Sequence, residues 1–253
     1  MNMPTHALEI NQLVAGYPGC TVLHGLDLRV ERGEWLGLLG ANGSGKTTLL
    51  DCIASRRKPD SGRILIDDHA LEDGVLARHR LGYAVAPESL PTLLSGRECL
   101  AVHATAKHLP CVEEELLELA KALGLSRWLD DPVAMYSLGT RQKLGVLLAL
   151  VGEPALVVLD ESFNGLDPAS SLVLKHHLRG RADAGRCAIL LATHGLDLVE
   201  RYCDSAVLLE EGRLVGSWQR DDLRRFDQGT DDGLERALAR VLAAASCADQ
   251  AST

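Results

Sequence analysis

Leu8 and Ile10 alternate with polar neighbours near the start of the chain, and Leu26, Leu28 and Val30 repeat the pattern. A period of two marks strands with one buried face, so both runs predict half-buried antiparallel strands. Glu34 to Leu39 is near-continuously apolar after its first residue, as expected of a parallel strand covered on both faces. It leads into a glycine-rich loop, and Lys46 to Ser55 then reads as a helix. Arg63 to Asp67 and Leu81 to Ala86 predict further short strands. From Pro91 to Gly152 the texture changes. Val112, Leu116, Leu119, Ala120 and Leu123 follow helical spacing among Glu113, Glu114, Glu115 and Glu118, and Leu144 to Val151 reads as a buried helix. The stretch predicts a helical subdomain, about 91–152, inserted into an α/β chain. Leu156 to Leu159 is a buried strand ending at Asp160, and Cys187 to Thr193 is the next. Ala206 to Glu210 and Arg213 to Ser217, separated by Glu211-Gly212, predict a hairpin. Beyond Asp221 the chain is charged and then alanine-rich. Leu234 to Ala245 predicts a short helix, with frayed residues at the end.

The length of 253 residues allows one large α/β domain or two small ones, and 46% apolar residues argue against wholesale disorder. A net charge of −9 makes a general nucleic-acid binder a poor fit, because neutralising phosphates requires clustered Lys and Arg. The local run Arg56-Arg57-Lys58 follows a predicted helix and reads as its solvated end. The 7 cysteines form no C-x-x-C pair, which argues for reduced thiols in the cytoplasm rather than a zinc site or a disulfide framework. Met1 to Asn11 shows no secretory pattern, and no apolar run approaches the length of a bilayer span. If the chain works at a membrane, another chain is expected to span it.

The chemistry concentrates after the apolar strands. Gly40-Ala41-Asn42-Gly43-Ser44-Gly45-Lys46-Thr47 matches G-x-x-x-x-G-K-[ST] at every fixed position. Glycines let backbone N–H groups approach phosphate oxygens, and the helix starting at Lys46 turns its positive end toward the same charges. Lys46 is expected to reach the β- and γ-phosphates of ATP and the Thr47 hydroxyl to ligate Mg²⁺, with Thr48 completing the nucleotide set. Downstream, the strand Leu156 to Leu159 delivers Asp160 and Glu161 at its C-terminal end, where open α/β sheets bind ligands. Asp160 is expected to hold Mg²⁺, and Glu161 to orient the attacking water or accept its proton.

Further motifs narrow the family. Tyr136-Ser137-Leu138-Gly139-Thr140-Arg141-Gln142 resembles, in variant form, the LSGGQ signature of ATP-binding-cassette (ABC) ATPases. Asp160 to Pro168 resembles that family's Walker B and D-loop run, and Ala192-Thr193-His194 its switch histidine. Tyr17 stands where the family places an aromatic ring that stacks on adenine. The resemblance runs from about Leu8 to Trp218, with the motifs in family order. It implies an α/β phosphate-loop cassette with a central mixed sheet, an N-terminal antiparallel β-subdomain and the helical insert, over residues 7–218, followed by a helical tail, 219–253.

The resemblance also implies a mechanism. Two cassettes, identical or paralogous, face each other head to tail with ATP between them. Ser137 and Gly139 then contact the γ-phosphate bound by the second subunit, Asp167 couples the two sites, and His194 positions the water. Leu138 replaces the first signature glycine, Thr140 the signature glutamine, and Ser162-Phe163 a proline-containing pair. Glu88 stands where many members carry the Q-loop glutamine and is expected to ligate Mg²⁺. The Tyr-Ser-Leu-Gly signature with this glutamate is similar to that of the subset driving two-component exporters. The expected partner is therefore an integral membrane permease, with this chain on the cytoplasmic face of the inner membrane. The permease is expected to dock near Glu88 and Pro91 to Leu100. The alternatives are a soluble ABC ATPase acting on ribosomes or DNA, which the single cassette and acidic charge disfavour, and a cassette that binds ATP without hydrolysis, which Asp160, Glu161 and His194 disfavour. His176-His177 reads as a helix surface pair, and Trp128 and Trp218 as packing residues.

Overall fold

The computed structural model describes residues 6–228 and 233–250. Two sheets form the frame. The first is antiparallel, β1 (His6–Tyr17), β2 (Cys20–Glu31), β4 (Ser61–Ile66) and β5 (His69–Ala70), in the order β2-β1-β4-β5. Its long strands are the two alternating runs of the N-terminus, paired through the tight turn between Tyr17 and Cys20. The second sheet contains β3 (Trp35–Leu39), β6 (Leu81–Tyr83), β7 (Leu156–Asp160), β8 (Ala188–Ala192), β9 (Ser205–Glu210) and β10 (Arg213–Gln219), in the order β10-β9-β3-β8-β7-β6. All neighbours are parallel except the β9–β10 hairpin, so the central sheet is mixed.

Every residue of β3 and β8 is buried, because both faces of this sheet are covered. Trp35, Leu39, Val157, Leu159, Ile189 and Leu191 face one apolar cluster. Their neighbours Leu36, Leu38, Leu156, Val158 and Leu190 face the other, packed with α1 (Lys46–Ile53) and the antiparallel sheet. This double burial explains why these strands read as unbroken apolar runs.

The first cluster is closed by helices. Between α2 (Val75–His79) and β7 lie α3 (Gly96–Ala106), α4 (Glu114–Ala122) and α5 (Leu138–Leu150). Ser95 and Glu98 form a reciprocal capping box that starts α3. α5 is longer than the apolar run Leu144 to Val151 predicts: it begins at Leu138, with the Ser137 hydroxyl accepting a hydrogen bond from Thr140 N at 3.2 Å. β6 is shorter than predicted. After Tyr83, Ala84 N still donates to Val158 O, but Val85 N turns to Gly145 O on α5. A Cβ at Gly145 would lie 2.1 Å from Val85 O, so the crossing requires glycine there.

α6 (Pro168–Asp183) and α7 (Leu196–Tyr202) follow β7 and β8, and α8 (Arg220–Asp227) and α9 (Gly233–Gln250) close the chain. Leu223 and Leu234 are fully buried in the same cluster as Trp218, so the described part of the tail is packed onto the cassette. The residues beyond 250, expected to be frayed, lie outside the described ones. Among the described residues no helix is long and apolar enough to cross a membrane.

Candidate functional site

β3, β8 and β7 are adjacent and parallel, so their C-terminal ends open on one edge. The loop Gly40 to Gly45 leaves β3 there, Asp160 and Glu161 leave β7, and Thr193 and His194 leave β8. They enclose a cavity of about 410 Å³ lined by Tyr17, Val22, Gly40, Asn42, Gly43, Gly45, Lys46, Thr47, Thr48, Asp160, Glu161 and His194. Ser44, also expected in the nucleotide set, is buried within the loop, and its Oγ has no hydrogen-bond partner.

Gly45 precedes α1 with φ +108, and a Cβ there would lie 3.0 Å from Leu23 and 3.3 Å from Val22. Only glycine takes that backbone angle in that space. Lys46 Nζ donates to Gly40 O at 2.6 Å and Ala41 O at 3.0 Å, which holds the loop open around its own ammonium group. Behind the loop, Gly212 N in the β9–β10 turn donates to Ser44 O at 2.9 Å. The hairpin signal marked that turn but not its role as a brace.

Across the cavity, Glu161 is held by four donors. His194 N at 3.0 Å and His194 Nδ1 at 2.7 Å donate to Oε1. Thr193 Oγ1 at 3.1 Å and Asn164 Nδ2 at 3.0 Å donate to Oε2. A carboxylate only accepts, so Nδ1 of His194 carries the proton in this contact. Glu161 sits at φ +46, a left-handed conformation that costs a non-glycine residue about 1 kcal/mol or more. Its N–H donates to Ala192 O at 2.9 Å, and with the four side-chain bonds this fixes the carboxylate in place. Thr193 and Asn164 were not singled out in the sequence, although both lie within the quoted motifs.

Asp160 is open to the cavity mouth but crowded by protein. Burial first, and then the Glu161 charge beside it, raise its carboxyl pKa, against the pull of Lys46. The Tyr83 phenol is pushed up to about 12 by burial and by Asp160. Two adjacent carboxylates and a threonine hydroxyl form a hard oxygen set that fits magnesium, and the Lys46 ammonium beside them fits phosphate.

The remaining predicted residues lie elsewhere. Ser137 and Gly139 start α5, away from the cavity lining. Asp167 caps α6: Ser170 N and Oγ donate to it at 2.9 and 2.6 Å, and Lys143 Nζ lies 2.9 Å away. These bonds, the Ser170 hydroxyl foremost, hold its carboxyl well below the usual range. Glu88 is not brought to the cavity. Pro87 starts a single 3-10 turn, Pro87–Ser89, that leaves Glu88 exposed and outside the cavity lining.

Tyr17 is 47% exposed on the cavity lip, where the stacking reading places it. Two other readings are corrected. The Arg56-Arg57 pair is folded onto aromatic rings, Arg56 over Tyr83 at 4.1 Å and Arg57 over Tyr17 at 3.8 Å. His177 is half-buried beside Glu115 and Arg181, while His176 is exposed. Trp128 stacks at a tilt on Tyr136, as a packing residue would.

A phosphate-cradling loop at the end of one buried strand, with a fixed carboxylate and imidazole at the ends of the next two, defines a phosphate-loop nucleoside triphosphatase. Comparison with known proteins specifies which kind. The family model described as ABC transporter matches residues 23–164. The chain is 35% identical over 221 residues to the ABC transporter ATP-binding protein YdbJ of Bacillus subtilis, spanning 87% of this chain and 69% of that one. It is 30% identical over 230 residues to the Nod factor export ATP-binding protein I of Ralstonia nicotianae, spanning 90% and 71%. A solved structure of the ATP-binding subunit of an ABC transporter superposes with a TM-score of 0.84 at 33% identity, over 93% of this chain and 99% of that one. The chain belongs to the ABC transporter family and is its ATP-binding, ATP-hydrolysing cassette.

Proposed function

We propose that this cassette hydrolyses ATP in a site shared between two copies and drives a separate membrane permease in export. The observation that carries the reading is the Glu161 carboxylate, fixed by His194 and Thr193 at the mouth of the same cavity that Lys46 and Thr47 line. Lys46 exchanges its bonds to Gly40 and Ala41 for phosphate oxygens. Glu161 orients the water and takes its proton, and His194, held against Glu161 at the cavity lining, positions the transferred group. Thr47 and Asp160 would hold Mg²⁺, which when bound neutralises phosphate charge. Such catalysis is mostly positioning, and four bonds to Glu161 provide it.

Ser137, Gly139 and Asp167 lie outside the chain's own cavity, which supports their service to the nucleotide of a second subunit. In this reading residues 7–218 form the ATPase domain, with the insert 91–152 carrying the signature. Leu93, 91% exposed and shortly after Glu88 in the chain, supports a permease contact on that insert. Likeness to a Nod factor export subunit, with the Tyr-Ser-Leu-Gly signature, supports export, and with it a place on the cytoplasmic face of the membrane.

Glu161→Gln tests the reading. Glutamine keeps one oxygen toward the two His194 donors, and its amide N–H can donate to the Thr193 hydroxyl and to Asn164 Oδ1 once that amide flips, so the fold survives. Turnover is expected to fall about 100- to 10,000-fold with a stable ATP-loaded dimer by gel filtration. Unchanged phosphate release would remove Glu161 from the role of base.

A further inference from the structure

The ring of Tyr17 has two faces with different neighbours. One side belongs to the nucleotide cavity, which Tyr17 and Val22 line at the end away from Asp160. The other meets Arg57, which lines a separate groove of about 340 Å³ with Lys58, Pro59 and Arg78 among others. Arg57 does not line the nucleotide cavity. Its guanidinium carbon lies 3.8 Å from the Tyr17 ring centroid. Its Nη1 donates to Gly16 O at 2.5 Å, the carbonyl immediately before Tyr17. Its backbone N–H is tied to Asp51 O at 3.1 Å, at the end of the helix whose first residues are Lys46 and Thr47. The guanidinium is thus bound both to the ring and to the strand that carries the ring, and it is anchored to the helix that carries the phosphate-binding residues.

We propose that Arg57 is a positioning residue for the purine. It backs the far face of Tyr17 and leaves the near face flat and fixed for the base, giving a guanidinium–phenol–purine stack. The inference rests on the reading of Tyr17 as the base-stacking ring. Three consequences follow from chemistry. A ring already ordered by a cation loses less freedom on stacking, so the base binds more tightly. The benefit is confined to the base, because Arg57 reaches no phosphate. It also passes through Tyr17 alone, so it vanishes when the ring is removed.

The test is a double-mutant cycle on the full chain, with Kd for ATP and for inorganic tripolyphosphate measured by calorimetry. Tyr17→Ala is expected to weaken ATP about 5- to 100-fold, the range for loss of one base–aromatic stack. Arg57→Met, which keeps an apolar stem over the ring, is expected to weaken ATP about 3- to 10-fold, within the range of one cation–π contact, and to leave tripolyphosphate unchanged. Arg57→Lys should recover part of the loss by restoring a cation. In the Tyr17→Ala background Arg57→Met should have no effect. Equal weakening of ATP and tripolyphosphate, an undiminished effect in the Tyr17→Ala background, or unchanged ATP affinity in Arg57→Met each overturns the positioning role. Should Tyr17→Ala itself leave ATP affinity unchanged, the stacking reading beneath it fails instead, and the role of Arg57 with it. A thermal melt of each variant separates these results from loss of fold.

Discussion

Glu115→Gln removes one charge from the junction where the helical insert meets the sheet. Glu115 lies in the first turn of α4, and its carboxylate meets Arg186 at 3.2 and 2.6 Å, Arg181 at 3.4 Å and His177 at 3.8 Å. Arg186 also reaches Glu153 at 2.6 Å. The two arginines differ in depth. Arg181 is 5% exposed, and its Nε and Nη2 are buried without hydrogen-bond partners, so its charge depends on Glu115. Arg186 touches solvent and keeps Glu153. Breaking a buried pair costs about 3–5 kcal/mol, and breaking an exposed pair about 0–1 kcal/mol. Glu115 is 42% exposed, so water screens part of the interaction and the expected loss is about 2 kcal/mol. For a chain of this size, that lowers Tm by about 4–8 °C.

Thermal unfolding followed by circular dichroism at neutral pH and low salt measures the shift. Glu153→Gln leaves Arg186 its other partner and should move Tm by less than about 2 °C. Arg181→Met removes the dependent charge, and Glu115→Gln should lose most of its effect in that background. The pH dependence has a defined sign. Hydrogen bonds from Arg186 hold the Glu115 carboxyl below its usual range, and burial, then Arg181, hold His177 below 6.5. Both groups bind protons more weakly when folded. The His177 contribution is therefore complete above 6.5 and is lost as pH falls through its lowered folded value, and the Glu115 contribution is lost at more acid pH still. A Tm for Glu115→Gln within about 1 °C of the parent, or an equal loss in the Arg181→Met background, refutes the reasoning.

Gly45→Ala places a methyl group against Leu23 in a loop held at φ +108, and the loop has to shift. Calorimetry should show ATP affinity falling about 10-fold or more, and full affinity would mean that this glycine does not shape the cradle. Alkylation by maleimide at neutral pH should label the exposed Cys20 and Cys111 within minutes. Cys52, pushed up to about 11 by burial, and Cys203, buried and raised further, should stay unlabelled until the protein unfolds. Mass spectrometry reads the sites, and native labelling of Cys203 contradicts the packing at the end of α7.

The parts of the site that follow a doubly buried strand were readable from sequence, because β3, β7 and β8 must be apolar throughout and the functional residues begin where that run stops. Asp160, Glu161, His194 and the glycine loop all meet that condition. What escaped depended on partners far along the chain. Arg56 and Arg57 look like a solvated charge run until Tyr83 and Tyr17 are placed beside them. His177 looks superficial until α4 brings Glu115 against it. Glu88 was placed by a motif position, whereas the direction of its side chain is set by Pro87 and by the crossing of Val85 over Gly145. The helix α6 was not delimited in advance, since its buried stripe of Leu174, Leu178 and Ala182 is narrow and interleaved with His and Arg. The tail reads as charged and alanine-rich, and its docking rests on Leu223 and Leu234 with Phe226, Leu238, Val241 and Leu242 packed beside them.

The lysine bridge across the glycine loop has a kinetic consequence. Lys46 holds the carbonyls of Gly40 and Ala41, and Gly212 braces the loop from behind, so the cradle's shape is set by the chain's own bonds. Reloading after product departs then requires the swap of two hydrogen bonds rather than the refolding of a loop. Loading is then limited by the arrival of nucleotide at the cavity rather than by rearrangement of the loop.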